Sequence, residues 1–406
     1  MTRVVRLLRA HTDLSQDAIA RMTDLSQGML SQMESGQRSL RSATKKQRAL
    51  EGLGAPEPAV ERPDKTPEAP KENRSGVFIP APELPPDELP KPLSSRGGRR
   101  VGTAVADTLA SRVHALRLAD DFLAGGDLIG PARRELEAAV ALHRGSVYTD
   151  RVGNALLVAI GEFSQITGWI LSDAGQHSEA EQVYRLGLSA AREAGDSALA
   201  GHLAGSLAYQ WTNTGREREG LRLALAALDE AGSHAHPKTR ALFLDRVAWA
   251  HTRNGDQQAA VRALGEAHDT LVQVAADEAP TWAYWVSDDE LEVMDARVYT
   301  ELHRPLRAVP LLSTVLGRYD TTHAREFALY LSWLAVALTD ANEPEQAAEV
   351  TTRMLAVSAD TASDRTAQRS RVVLRHLTRF RDVPEVEELF ASLPDPGERK
   401  TTDRSC

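Results

Sequence analysis

The chain has 406 residues, of which 42 % are hydrophobic and 26 % are charged, so it is long enough for more than one domain with a sizeable core. The single cysteine, Cys406, leaves no intrachain disulfide and no cysteine-based zinc site, which fits a reducing cytoplasm. No segment has the pattern of a signal peptide, and we find no apolar stretch of the roughly 18 residues that span a membrane. The net charge of −9, taken alone, argues against a nucleic-acid partner.

The charge is unevenly distributed along the chain. Residues 1–54 contain nine basic and five acidic side chains, a net charge of +4, and residues 55–100 are neutral. The remaining residues therefore carry −13. A small basic head on an acidic body is the distribution expected when only the head contacts DNA.

The basic head, residues 1–54, has the capping and turn residues of a small helical bundle. Residues 3–11 suit a first helix, and Ser15 is a favourable N-cap for a second. Asp24 falls in the turn, where a left-handed backbone is needed, and Ser26 caps a third helix. The buried side of that helix is predicted to consist of Met29, Leu30 and Met33. The spacing predicts two short helices joined by a tight turn.

The segment from Leu14 to Arg38 resembles the Cro/cI-type (XRE-like) helix-turn-helix of phage repressors and bacterial regulators. The resemblance implies a bound operator in double-stranded DNA and six contact positions: Gln16, Ser26, Gln27, Gly28, Gln32 and Arg38. The first and last of these would hold the DNA backbone, and the others would face the groove. Glutamine can make paired hydrogen bonds to a base edge in the major groove, whereas Gly28 stands where relatives often carry a second base reader. The alternative is a small protein-interaction module with solvated glutamines.

Residues 55–100 contain eleven of the twenty prolines in the chain. Proline removes backbone donors and disfavours helix, so we expect a disordered, mobile linker that is partly extended like polyproline II. A buried position for residues 77–79 is a second possibility. The basic segment 96–100 closes the linker, and we expect a solvated hinge there.

From Val101 onward the pattern is helical and contains an internal repeat. Five turn markers recur at similar spacing: Gly175, Gly215, Gly255, His303 and Glu343. Small or apolar residues stand seven positions before them, at Gly168, Ala208, Ala248, Ala296 and Val336. Others stand five positions after, at Ala180, Gly220, Ala260, Ala308 and Ala348, and twelve after, at Gly187, Ala227, Ala267, Val315 and Leu355. The spacing predicts antiparallel helix pairs with a marker in each turn.

This repeat register resembles the tetratricopeptide repeat, with units about six residues longer than the usual 34. An earlier, weaker unit has its turn at Gly125-Gly126 and is predicted to start its second helix at Gly130-Pro131. Five or six such hairpins would stack into an α-solenoid. We therefore predict an all-α protein: a helix-turn-helix domain over 1–54, a linker over 55–100, a tetratricopeptide-like domain over 101–394 and a disordered tail over 395–406.

Four side chains of the repeat domain are candidate ligand contacts. Trp282 and Trp285, on either side of Tyr284 after Pro280, are predicted to begin a helix and suit stacking on a ligand, although packing in the core between two repeats is the favoured interpretation. Asn213 and Asn254 lie near helix ends, where they suit either a peptide backbone or helix capping.

Catalytic and metal chemistry have little support in the sequence. His234 and His236 lie in a predicted loop without a nearby cysteine, so we interpret them as polar loop residues rather than metal ligands. No glycine-rich phosphate loop, nucleophile elbow or HExxH motif occurs, so neither an enzyme nor a cofactor is predicted.

The sequence thus predicts a bacterial transcription regulator in the cytoplasm, associated with the nucleoid and without membrane contact. The head would bind its operator as part of a homodimer, and the solenoid would mediate dimerisation or sense a peptide or protein ligand. The alternative is a scaffold or adaptor protein whose helix-turn-helix only tethers it or is vestigial.

Overall fold

The structure is a computed structural model that describes Leu25, Met29, Leu30 and Gln32 of the head and residues 98–121, 123, 125–273, 278–319, 323–359 and 363–393. The chain divides into two compact units, Met1–Ile79 and Pro80–Cys406. Nearly all of the predicted linker and all of the predicted tail lie outside the described residues, so the disorder expected of both stays a prediction.

The described part of the second unit is built from helices, which confirms the all-α fold class. The helices are α1 Thr103–Asp120, α2 Gly125–Gly145, α3 Asp150–Asp173, α4 His177–Ala194, α5 Ser197–Asn213, α6 Glu217–Ala231, α7 Pro237–Arg253, α8 Gln257–Leu271, α9 Asp288–Glu301, α10 Pro305–Arg318, α11 Ala324–Asp340, α12 Pro344–Ser358, α13 Asp364–Leu377 and α14 Pro384–Ser392. Two single 3-10 turns cover Thr281–Ala283 and Thr378–Phe380. Helices α3 to α12 pack as five successive hairpins, with α1 and α2 against α3 at one end and α13 and α14 against α11 and α12 at the other.

The hairpin turns follow the predicted markers except for the last one. The backbone is left-handed at the first four, with φ of 78° at Gly175, 88° at Gly215, 80° at Gly255 and 52° at His303. In the fifth hairpin the left-handed residue is Asn342 (φ 64°), and the predicted marker Glu343 is instead the N-cap of α12.

The marker prediction at Glu343 is therefore wrong by one residue, because the last two turns are spaced by 39 residues and not by 40. Asparagine tolerates the left-handed region better than glutamate does. The corrected register puts Ala335, Ala347 and Met354 in the interface positions, each 0 % exposed.

Small residues at the predicted positions do bring paired helices close together. A Cβ atom added to Gly220 would lie 2.2 Å from Oγ1 of Thr212 and 2.9 Å from the carbonyl oxygen of Ala208, both on the preceding helix. A Cβ atom added to Gly168 would lie 2.6 Å from the ring of Tyr184. At these distances a side chain in place of either glycine would force its neighbours to move.

The structure differs from two predictions near the start of the repeat unit. Helix α2 begins at Gly125 and contains Pro131 in its interior, so the predicted start at Gly130-Pro131 is wrong. An interior proline removes one backbone hydrogen bond and crowds the carbonyl four residues earlier, yet the helix continues on either side of Pro131. The predicted solvated hinge is also partly ordered, because Arg99–Arg100 pairs in parallel with Ser146–Val147 as a two-residue strand.

Helix α3 passes a length and composition test for a membrane span, and no other described helix does. The sequence analysis found no apolar stretch of this length, because Glu162 and Gln165 interrupt the apolar residues of this helix. However, 72 % of its most apolar window is buried inside the unit, where Leu156 and Phe163 are 0 % exposed. The helix contributes its apolar side chains to a hydrophobic core of the repeat unit.

Candidate nucleic-acid interface and solenoid site

Gln32 lies on the outward side of the third predicted helix of the head. Leu30 is 0 % exposed, Leu25 is buried and Met29 is half-buried, whereas Gln32 is exposed and helical. Two residues correspond to about 200° around an α-helix, so Gln32 and Leu30 point in nearly opposite directions. A residue that reads a base edge needs such a position, and the contact itself stays a prediction.

The other predicted DNA contacts lie outside the described residues. They are Gln16, Ser26, Gln27, Gly28 and Arg38. Their roles stay predictions that rest on the resemblance of the segment to Cro/cI-type domains.

The side chains of the two candidate asparagines make hydrogen bonds within the protein, near the ends of repeat helices. The amide nitrogen of Asn213 donates to the carbonyl of Tyr209 (2.8 Å), and its oxygen accepts from Nε1 of Trp249 (3.1 Å). The amide nitrogen of Asn254 donates to the carbonyls of Glu217 and Ala250, both at 2.8 Å. These bonds are the capping role that the sequence left open, and ligand binding by either residue stays a prediction.

Trp282 is a core side chain in this fold. It is 3 % exposed and stacks on His202 with ring centroids 4.1 Å apart. Burial holds the pKa of His202 well below its ordinary value, so this imidazole is neutral at pH 7. Trp285 is half-buried against the same core. The helix predicted to begin here is a single 3-10 turn, and α9 begins only at Asp288.

The loop histidine His236 has a structural role. Its Nδ1 accepts a hydrogen bond from the backbone N–H of Lys238 (3.2 Å), which caps α7. Across the described ranges, no group of three or more histidine, cysteine, aspartate or glutamate residues is arranged to hold a metal ion.

A row of four aromatic rings from α3, α5, α7 and α11 lies outside the sequence predictions. Trp169 stacks on Tyr209 with ring centroids 5.9 Å apart. Tyr209 lies 6.5 Å from Trp249, which meets Trp333 edge to face at 5.7 Å. The first three rings each stand six residues before a turn glycine, so the 40-residue repeat contained a signal for them.

Two guanidinium groups lie over the first half of this row. Arg246 of α7 is 4.3 Å from the ring centroid of Tyr209 and 5.8 Å from that of Trp169. Arg365 of α13 lies 5.4 Å from the ring of Trp169. All three distances are in the range of cation–π attraction.

Two more guanidinium groups lie over the second half. Arg297 of α9 is 4.8 Å from the ring of Trp249 and 5.5 Å from that of Trp333. Arg369 of α13 lies 3.6 Å from the ring of Trp333. We call these eight side chains the arginine–aromatic row: Trp169, Tyr209, Trp249, Trp333, Arg246, Arg297, Arg365 and Arg369.

Three arginines of the row act on the hydroxyl group of Tyr209. Burial raises the pKa of Tyr209, but Arg297, Arg365 and Arg246 together outweigh burial and leave the pKa below its ordinary value. Nη2 of Arg297 donates to the hydroxyl oxygen of Tyr209 at 2.7 Å. Burial also lowers the pKa of Arg369 to about 10, with Arg297 as one of the neighbouring cations.

A shallow surface pocket of about 440 Å³ lies beside the turns of the last two hairpins. Its charged groups are paired with one another: Asp340 accepts from Arg379 (3.0 Å) and lies 2.8 Å from Nδ1 of His303. These pairs leave little polar capacity for a ligand, so the row is the better candidate site.

A family model described as a helix-turn-helix domain matches residues 1–62. No curated protein matches the chain. The family match supports DNA binding by the head and a role in transcription regulation.

Proposed function

We propose that the protein is a sequence-specific transcription regulator with a Cro/cI-type head and a tetratricopeptide-like solenoid. The observation that carries this proposal is the helix-turn-helix match over residues 1–62. The exposed position of Gln32 opposite the buried Leu30 supports it, since that is the geometry of a recognition helix.

The charge distribution gives independent support. The head carries +4, whereas residues 101–406 carry −13. Phosphates attract the head and repel the acidic unit, so the protein would contact DNA through one end only. This asymmetry favours a regulator over a scaffold, for which no such split is needed.

The solenoid would act as a dimerisation module, a sensor of a peptide or protein ligand, or both. A homodimer presents two heads to half-sites about one helical turn apart. A 46-residue proline-rich linker, residues 55–100, would raise the effective concentration of the second head more than it fixes its geometry. Control through assembly is therefore the expected mechanism, in the bacterial cytoplasm at the nucleoid and without a catalytic step.

A gel-shift series against the promoter of its own gene, at several salt concentrations, tests base reading. We expect the double variant Gln27→Ala, Gln32→Ala to lose about tenfold or more of its preference for the promoter over competitor DNA, since a good bidentate pair contributes about 1–3 kcal/mol. Gln346→Ala, on an exposed position of α12, is the matched control and should bind as the wild type does. If the double variant keeps full preference, base reading by these glutamines is wrong.

Deletion of residues 1–54 tests the assignment of the head, and it should abolish DNA binding. Retained binding would contradict that assignment.

Genome-wide occupancy of the protein on DNA then separates the regulator from the scaffold. Discrete peaks with a shared motif support the regulator, and diffuse occupancy supports a tethered scaffold.

A further inference from the structure

We propose that the arginine–aromatic row binds the oxyanion of a ligand, a carboxylate or a phosphate group, with Arg297 and Arg369 as its principal donors. The proposal names the chemical class of ligand for the solenoid and rests on the proposed function only where it links this ligand to regulation. Binding itself is a property of the second unit and is measured without DNA.

Stacking leaves the hydrogen-bonding edges of these arginines available. A guanidinium group that lies on an aromatic ring uses its face, whereas its five N–H donors point outward in its own plane. Arg369 lies 3.6 Å from the ring centroid of Trp333, and of its donors Nε bonds to Oγ of Ser332 (3.1 Å). Cation–π contact therefore explains where the groups lie and does not satisfy their donors.

Three donors in the row are shielded from solvent and make no hydrogen bond: Nε of Arg297, Nη2 of Arg369 and Nε of Arg365. The last of these faces a carboxylate oxygen of Asp173 at 3.3 Å, so the first two are the donors without an ionic partner. Arg297 is 9 % exposed, and its two terminal nitrogens bond to the sulfur of Met294 (3.0 Å) and the hydroxyl of Tyr209 (2.7 Å), both neutral groups. A buried cation ordinarily has an anionic or strongly polar partner, so these donors indicate a group that binds there.

Carboxylates lie near the row, but they do not pair with its two principal arginines. Within the described residues, no carboxylate oxygen lies within 4.0 Å of Arg297 or Arg369. Arg246 has only Asp245, at 3.9 Å, which is beyond hydrogen-bonding distance. Arg365 shares Asp173, at 3.3 Å, with a further arginine of α11.

Glu290, whose charge interacts with Arg297, bonds instead to the hydroxyl of Tyr330 through both of its oxygens (3.0 and 2.9 Å). Arg246 and Arg297 lie on the ring of Tyr209, and Arg297 and Arg369 lie on that of Trp333. Arginine is the preferred residue for charge-assisted hydrogen bonds to an oxyanion, so grouped arginines that lack such a partner match this class of ligand.

Calorimetric titration of the full chain, without DNA, tests the site with inorganic phosphate and with citrate at constant ionic strength, against sodium chloride. We expect saturable binding of at least one oxyanion. Phosphate alone would assign a phosphate-bearing ligand, and citrate alone a carboxylate-bearing one. If neither exceeds the chloride control, the proposal is overturned.

Two variants of helix α13 locate the site. Arg369→Gln should weaken oxyanion binding at least tenfold. Arg375→Gln removes the same charge from an exposed position of the same helix and should leave binding unchanged. An equal loss in both variants would indicate a general electrostatic effect and overturn the proposal.

A crystal of the wild type soaked in tungstate gives a readout that no folding defect can obscure. Anomalous scattering should place the oxyanion against Arg297 and Arg369, and its placement only elsewhere overturns the proposal. These outcomes are independent of the gel-shift series, so a failed site and a failed DNA-binding head are distinguishable.

Discussion

Arg325 and Asp120 are 205 positions apart in sequence, yet the guanidinium group donates to both carboxylate oxygens at 3.1 Å. The side chains are 5 % and 6 % exposed. Asp173 lies 3.7 Å from the same guanidinium and also accepts a hydrogen bond from Ser363 (3.0 Å). The carboxyl ends of α1 and α3 are thereby joined to the amino ends of α11 and α13 within the repeat unit.

Loss of this arginine should destabilise the repeat unit strongly. Arg325→Met leaves Asp120 buried without its cation, while Asp173 keeps only Arg365, at 3.3 Å. Breaking a buried pair in this way costs about 3–5 kcal/mol of unfolding free energy. Urea denaturation followed by circular dichroism measures the loss. Arg192→Met, in an exposed pair with Glu230, is the control and should change stability by about 1 kcal/mol or less. Similar losses in both variants would contradict a joint between distant helices.

The close approach of α5 and α6 predicts opposite effects for two glycine substitutions. Gly220→Ala should destabilise the unit by about 1–3 kcal/mol, because its methyl group meets Thr212 at 2.2 Å and the backbone of Ala208 at 2.9 Å. Gly265→Ala, in an exposed stretch of α8 with no atom within 4 Å, should stabilise it by up to about 1 kcal/mol. Thermal melts of both variants measure this, and a shift of the same sign in both would refute the packing argument.

The sequence predicted the hairpins because their turns need a left-handed residue, and three glycines at fixed spacing reveal that need. No local sequence signal of this kind exists for the contact between Asp120 and Arg325. They meet because the packing of the hairpins brings together helices that are distant in sequence. The arginine–aromatic row was missed for a related reason. Its aromatic residues follow the repeat at Trp169, Tyr209 and Trp249, but its arginines come from three helices with no common spacing. Interior Pro131 was misread because proline is common at helix starts and tolerable inside.

The corrected register of the fifth hairpin predicts which turn residue is sensitive. Asn342 has φ 64°, so Asn342→Ala should cost about 1 kcal/mol, whereas Asn342→Gly should be neutral or slightly stabilising. The control is Glu343→Ala, at the adjacent N-cap with φ of −117°. Chemical denaturation of the three variants measures the order. If Glu343→Ala destabilises the protein more than Asn342→Ala does, the correction is wrong and Glu343 is the turn residue.

Glu290 gives the repeat unit a stability term that depends on pH. Burial raises the pKa of Glu290 to about 7, although the hydrogen bond from Tyr330 and the charge of Arg297 favour the ionised form. The neighbouring carboxylates Glu326 and Asp245 reinforce the rise. In the unfolded chain the same carboxyl group has its ordinary value of 4.5. Between these two values the folded protein binds more protons than the unfolded chain does.

The contribution of Glu290 to stability should therefore be greatest at low pH and should fall as the pH rises from 4.5 to 7. Glu290→Gln is neutral at every pH and removes this dependence. The melting temperature of the variant, minus that of the wild type, should rise from pH 5.5 to pH 8, because the wild type must ionise a buried carboxyl group at the higher pH. Taking the difference cancels the other titrating groups, including the buried His202. A difference that stays constant or falls over this range would show that Glu290 is ionised in the folded state throughout.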